Sequence, residues 1–153
     1  MPFPMSSFSL ISKDLSKEPP RSPRHRIGGY VLLARALDKG RAALAGTPGE
    51  YRFDCPLDRR LFDFKGVSGT EIRTLLAGGA TDEQMAAWLN THGTPRTVEE
   101  VAAWGDAFVA QRPHDDPERR EWFAQECARL GLDPARTTFC EYMEEDDRRS
   151  YLK

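Results

Sequence analysis

With 153 residues, 39% of them hydrophobic and 30% charged, the chain can close one real core and falls in the size range of a single domain. The composition excludes a wholly disordered chain, and no apolar run nears the ~18–20 residues that span a bilayer. The net charge of −2 hides an asymmetry: eight Lys/Arg against three Asp/Glu in residues 1–49 make that stretch +5 and leave −7 on residues 50–153, so a basic leading segment is expected either to lie on its own acidic body or to attract an anionic partner.

Residues 1–12 read as a flexible tail and residues 13–153 as a single helical domain. The start, MPFPMSSFSLISK, has polar interruptions and no basic region before them, unlike a secretory signal, and a cytoplasmic location is expected. Pro19, Pro20 and Pro23 fix φ and push their preceding residues to extended geometry, which predicts a proline-rich extended arm. After Gly28-Gly29, apolar residues at Tyr30, Leu33, Ala34, Leu37 and Leu44 recur at helical spacing up to Gly46. The alternation of Tyr51, Phe53 and Cys55 predicts a short extended connector, because one strand alone is not stable.

Pro56 restarts a helix at its first turn, with Leu57, Leu61, Phe62 and Phe64 directed to the core. Three capping boxes announce the next helices: Ser68 with Glu71, Thr81 with Gln84, and Thr97 with Glu100. Asp116 with Pro117 predicts a further helix start, carrying Phe123, Cys127 and Leu130 on one face. Asp133-Pro134 begins a turn or short helix, and the stretch TFCEYMEEDDRRSYL predicts a last helix. The fold expected is therefore all-α, a compact bundle of six or seven short helices behind the arm.

The motifs DLSKEPPRSPRHRIGGY, ARALDKG and CPLD resemble an uncharacterised bacterial family, one of the domains of unknown function. The likeness is specific from Asp14 to Asp58 and looser to the end. It implies that the arm and the first helix belong to the domain itself, and it implies no activity.

Candidate sites follow from chemistry. Arg21, Arg24, His25 and Arg26 precede Gly28, Gly29 and Tyr30 at an expected helix N-terminus, where free N–H groups and guanidinium forks suit a phosphate or carboxylate. The plainer reading pairs those arginines with the protein's own acids and gives the glycines a sharp turn. Arg35, Asp38 and Lys39 either line a pocket or form an ordinary solvated helix face. Cys55, at a helix N-terminus, is a candidate nucleophile or a thiolate ligand for haem, against the plainer reading of a small buried apolar residue. A cluster of Asp58, Arg35 and Asp38 is the other enzymatic option.

Three widely spaced cysteines without a C-x-x-C pair indicate neither zinc nor a disulfide framework. No other cofactor is expected, and the HDD run at His114 reads as a helix start rather than a metal site. A pI near 5.9 and the lack of aromatics among the arginines argue against nucleic acid. The function expected is a binding or interaction module for an anionic or peptide ligand, with a small enzyme and a haem protein as alternatives.

Overall fold

The structure, a computed structural model, describes residues 12–152. Of the expected tail, residues 1–11 lie outside the described residues; Ser12 reaches the Arg41 carbonyl with its hydroxyl at 3.5 Å. Among the described residues seven α-helices follow in chain order: α1 (Leu33–Ala45), α2 (Pro56–Lys65), α3 (Gly69–Ala77), α4 (Asp82–Thr91), α5 (Val98–Val109), α6 (Arg120–Leu130) and α7 (Phe139–Ser150). Single 3₁₀ turns at Pro113–Asp115 and Pro134–Arg136 flank α6. Among the described residues there is no strand, only one isolated bridge between Ile27 and Tyr30.

Local chemistry sets the helix starts. Ser68, Thr81 and Thr97 each accept the N–H three residues on, while Glu71, Gln84 and Glu100 reach back to the cap, so two of the orphan N–H groups at each start are satisfied. Thr138 and Glu141 make a fourth box at the start of α7; its T-x-x-E spacing was readable beforehand. Pro56 occupies the first turn of α2.

Two boundaries differ from expectation. The first helix begins at Leu33 rather than at Tyr30, because Gly28 (φ 57°) and Gly29 (φ 88°) form a two-residue turn in which Ile27 and Tyr30 exchange both backbone hydrogen bonds. Left-handed φ at two successive positions is what glycine tolerates without steric cost. The chain then passes through Leu32 at φ 68°, whose N–H donates to the Pro23 carbonyl. Near Asp116 the expected helix is delayed to Arg120: the Asp116 side chain holds the Glu118 N–H, closing a local turn first.

The helices surround α1. Every residue from Leu33 to Ala42 is buried, and α1 packs on α2 and α3 while α6 packs on α7. Gly40 is the close approach to α3, since a Cβ there would lie 2.6 Å from Leu76 Cδ1 and 3.1 Å from Phe53 Cδ1. The core runs from Tyr30 through Leu37, Phe62, Ile72, Met85 and Phe123 to Met143. Trp88 and Trp104 pack against it; Trp122 is 44% exposed.

The central place of α1 overturns the solvated-face reading of its charges. Arg35, Asp38, Lys39 and Arg41 are 5%, 3%, 4% and 4% exposed. Buried charge is tolerated only when paired, and each of these four meets an opposite charge brought by another segment.

Candidate functional site

The arm is attached through its arginines. Arg21 donates its backbone N–H to Asp38 at 2.8 Å, its Nη2 to the same carboxylate at 3.0 Å, and its Nη1 to Asp82 at 2.9 Å. Arg41 completes the cluster with an Nη1 contact to Asp82 at 2.7 Å. Burial alone pushes the Asp82 carboxyl up, but hydrogen bonds from Arg21 and Arg41 outweigh it and hold the group below the usual carboxylate range. Arg24 forks onto Glu144, which the Ser22 hydroxyl also reaches; there too burial is outweighed and the carboxyl is lowered.

Arg35, one helical turn from Asp38, turns to α7. Its Nη1 and Nη2 donate to Asp147 of α7 at 2.8 and 3.2 Å, and Nη1 also approaches the Arg21 carbonyl at 3.3 Å. The Tyr51 hydroxyl donates to the same aspartate at 2.8 Å, and burial with that bond raises the Tyr51 phenol above its ordinary range. Lys39 pairs with Asp58 at 2.8 Å. Asp58, Arg35 and Asp38 thus hold three separate partners, and among the described residues no hydrogen bond or ion pair joins them to one another.

Arg26 and the glycine turn sit on the outer side of the arm. Arg26 Nη2 donates to Asp106 of α5 at 2.7 Å, a carboxylate that is 72% exposed. Among the described residues neither the Gly28 nor the Gly29 N–H has a hydrogen-bond partner. Tyr30 is buried to 2% exposure and donates its hydroxyl to Asn90 of α4 at 2.7 Å.

Three depressions run along this face. The first, about 500 Å³, is lined by Lys13, Arg21, Arg41 and by Asp38, Asp82, Glu83. The second, about 510 Å³, shares Arg21, Asp82 and Glu83 with it and adds His25, Arg26, Gly28 and Asn90. The third, about 300 Å³, continues from Arg26, Gly28 and Asn90 to Gly29, Arg96, Val98 and Val101. A fourth, of about 600 Å³ near Tyr51 and Tyr151, is lined by Glu50 and Asp146 and by no arginine.

The third depression is electrostatically distinct. In the first two, cations and carboxylates balance; its lining includes Arg26 and Arg96 and no carboxylate. Arg96 lies in the turn before α5, where its Nη2 donates to the Phe64 carbonyl at 2.9 Å and its guanidinium stacks 4.3 Å from the Phe64 ring centroid. Val98, at the first turn of α5, is 82% exposed beside it.

Of the residues singled out in the sequence, the recess collects Arg26, Gly28 and Gly29, with Tyr30 beneath through Asn90. Arg21 is at the head of the same furrow, Arg24 faces Glu144, and Arg35 and Asp38 are enclosed in α1. The helix N-terminus expected at Gly28 and Gly29 lies further on, since the two glycines belong to a tight turn before α1. Arg96 and Asn90 carried no signal in the sequence: each is an ordinary residue near a helix end, made relevant only by the approach of the arm.

Among the described residues no three His, Cys, Asp or Glu side chains are grouped to hold a metal ion. No described helix is long and apolar enough to cross a membrane. These features define a small all-helical domain whose basic N-terminal segment is fastened by ion pairs and borders a cationic recess. Residues 17–149 match the family model described as a domain of unknown function, DUF5069, and the chain belongs to that family. No curated protein matches the chain.

Proposed function

We propose that the protein is a binding module that takes an anionic group of a small-molecule or peptide ligand in the recess between the glycine turn and α5. The observation that carries this reading is the convergence of Arg26 and Arg96 on a space lined by no carboxylate, beside two glycine N–H groups that have no partner among the described residues. A carboxylate or phosphate there would accept charge-assisted bonds from the guanidiniums and the turn. Val98 and Val101 offer an apolar floor for whatever carries the charge.

The resident pairs do not close the site. Arg26–Asp106 and Arg96–Glu100 involve carboxylates that are 72% and 49% exposed, and solvent screening leaves such exposed pairs weak. An incoming anion can therefore displace or share them. Arg21 differs, because its carboxylates are needed to neutralise it within the fold; its role here is to hold the arm in place.

The test is a titration of ¹⁵N-labelled protein with inorganic phosphate and with acetate at constant ionic strength. Saturable shifts centred on the Gly28 and Gly29 amides are expected, and they should vanish in the Arg26→Gln/Arg96→Gln variant. Linear, non-saturating shifts, or the same curves in the variant, would refute the recess as the site.

A further inference from the structure

We propose that Cys55, Lys39 and Asp58 form a peroxide-reactive site, in which the Cys55 thiol is reversibly oxidised to a sulfenic acid with Lys39 as proton donor. Cys127 and Cys140 are 0% exposed, whereas Cys55 is half-buried, so it is the cysteine that solvent reaches. It stands at the N-cap position of α2, and its sulfur makes no hydrogen bond to the N–H groups of the first turn.

The sulfur has a charged neighbour from another element. Lys39, in the middle of α1, donates its Nζ to Cys55 Sγ at 3.2 Å. Lysine rarely gives up water, yet this one is 4% exposed. Its counter-charge is Asp58, 0% exposed, with Oδ1 at 2.8 Å from Nζ.

That Asp58 oxygen accepts no hydrogen bond, so its contact with the ammonium is one of charge and not of hydrogen-bond direction. The other oxygen accepts the Asp54 N–H at 2.8 Å, which fixes the carboxylate. Lys39 is thus held beside the sulfur by a buried charge while its hydrogens are not all engaged. An ammonium so placed can serve a second acceptor next to Sγ.

Hydrogen peroxide supplies that acceptor. A sulfur lone pair attacks one peroxide oxygen, the S–O bond forms and the O–O bond breaks. The departing hydroxide takes a proton from Lys39 and leaves as water, and the proton shed by the thiol replaces it on the amine. The sum is thiol plus peroxide giving sulfenic acid plus water; sulfur loses two electrons and the peroxide gains them. The developing charge on the leaving oxygen is what a positioned proton donor stabilises, and a thiol reductant reverses the product.

The experiment exposes the folded protein to hydrogen peroxide, traps sulfenic acid with dimedone and maps the adduct by mass spectrometry. An adduct on Cys55 and neither other cysteine is expected, lost when reductant precedes the trap. Its rate constant should exceed that of the urea-unfolded chain by on the order of a hundredfold, the lower reach of proton-transfer assistance. The Lys39→Met/Asp58→Asn variant removes both buried charges together and should bring the native rate down to the unfolded one, with circular dichroism confirming the fold. A native rate at or below the unfolded rate in the wild-type protein, or adducts spread over Cys127 and Cys140, would overturn the proposal even if that variant fails to fold.

Discussion

Replacing Arg21 by alanine tests how the arm is held. Every hydrogen bond that Asp38 accepts among the described residues comes from Arg21, through its backbone N–H, Nε and Nη2. The Asp38 side chain is 4% exposed, so Arg21→Ala leaves a buried carboxylate with one backbone donor. Breaking a buried pair from one side costs about 3–5 kcal/mol. Asp82 keeps Arg41 at 2.7 Å and adds little to the loss. For a chain of this length the melting temperature should fall by roughly 6–20 °C, a large share of a total stability of about 5–15 kcal/mol.

The assay is urea unfolding followed by circular dichroism, with Arg24→Ala as the internal comparison. The Arg24–Glu144 side chains are 43% and 30% exposed, so that substitution should cost about 0–1 kcal/mol. A double change, Arg21→Met/Asp38→Leu, removes both charges and should recover most of the loss, since apolar replacements of buried pairs are often neutral. If Arg21→Ala costs no more than Arg24→Ala, the arm is not fastened by its buried pair and the reasoning fails.

Thr138→Ala should cost about 1 kcal/mol by removing the cap of α7, read as a shift of the urea midpoint; no shift would mean that packing alone holds that end. The acid limb of stability follows from Asp82 and Glu144, both lowered in the folded state. Their contribution is complete above the unfolded values of 3.8 and 4.5 and is lost as pH falls through the folded ones, so a pH series should show a plateau that declines below about pH 4.5. At the other end, burial lifts the Cys140 thiol from 9.0 to about 11. The stability it contributes as a neutral thiol is full below pH 9 and disappears toward pH 11, and Cys140→Ser should flatten that alkaline decline.

The helices were legible because their signals are local. Ser68-Glu71, Thr81-Gln84 and Thr97-Glu100 each settle a helix start within four residues, and apolar spacing supplies the inward face. Expectation failed where a local pattern admits two outcomes. Gly28-Gly29 reads equally as a helix entrance or a tight turn, and the pairing of Ile27 with Tyr30 decides it. Arg35, Asp38 and Lys39 read as a solvated face because i,i+3 charges are common on exposed helices, and nothing near them in the chain shows that α1 is enclosed.

The sequence by itself therefore determined an all-helical chain, its helix starts, a basic leading segment and a list of arginines worth attention. Tertiary structure alone decided what those arginines meet. Arg21 finds its second carboxylate 61 residues away, Arg26 its partner 80 away, Arg35 112 away and Arg24 120 away. A guanidinium looks the same in sequence whether water, a buried aspartate or an open recess faces it. Only the packing of α1 among its neighbours distinguishes the buried pairs of Arg21 and Arg35 from the accessible charge of Arg26 and Arg96, because the charge on a side chain is set locally and its surroundings are not.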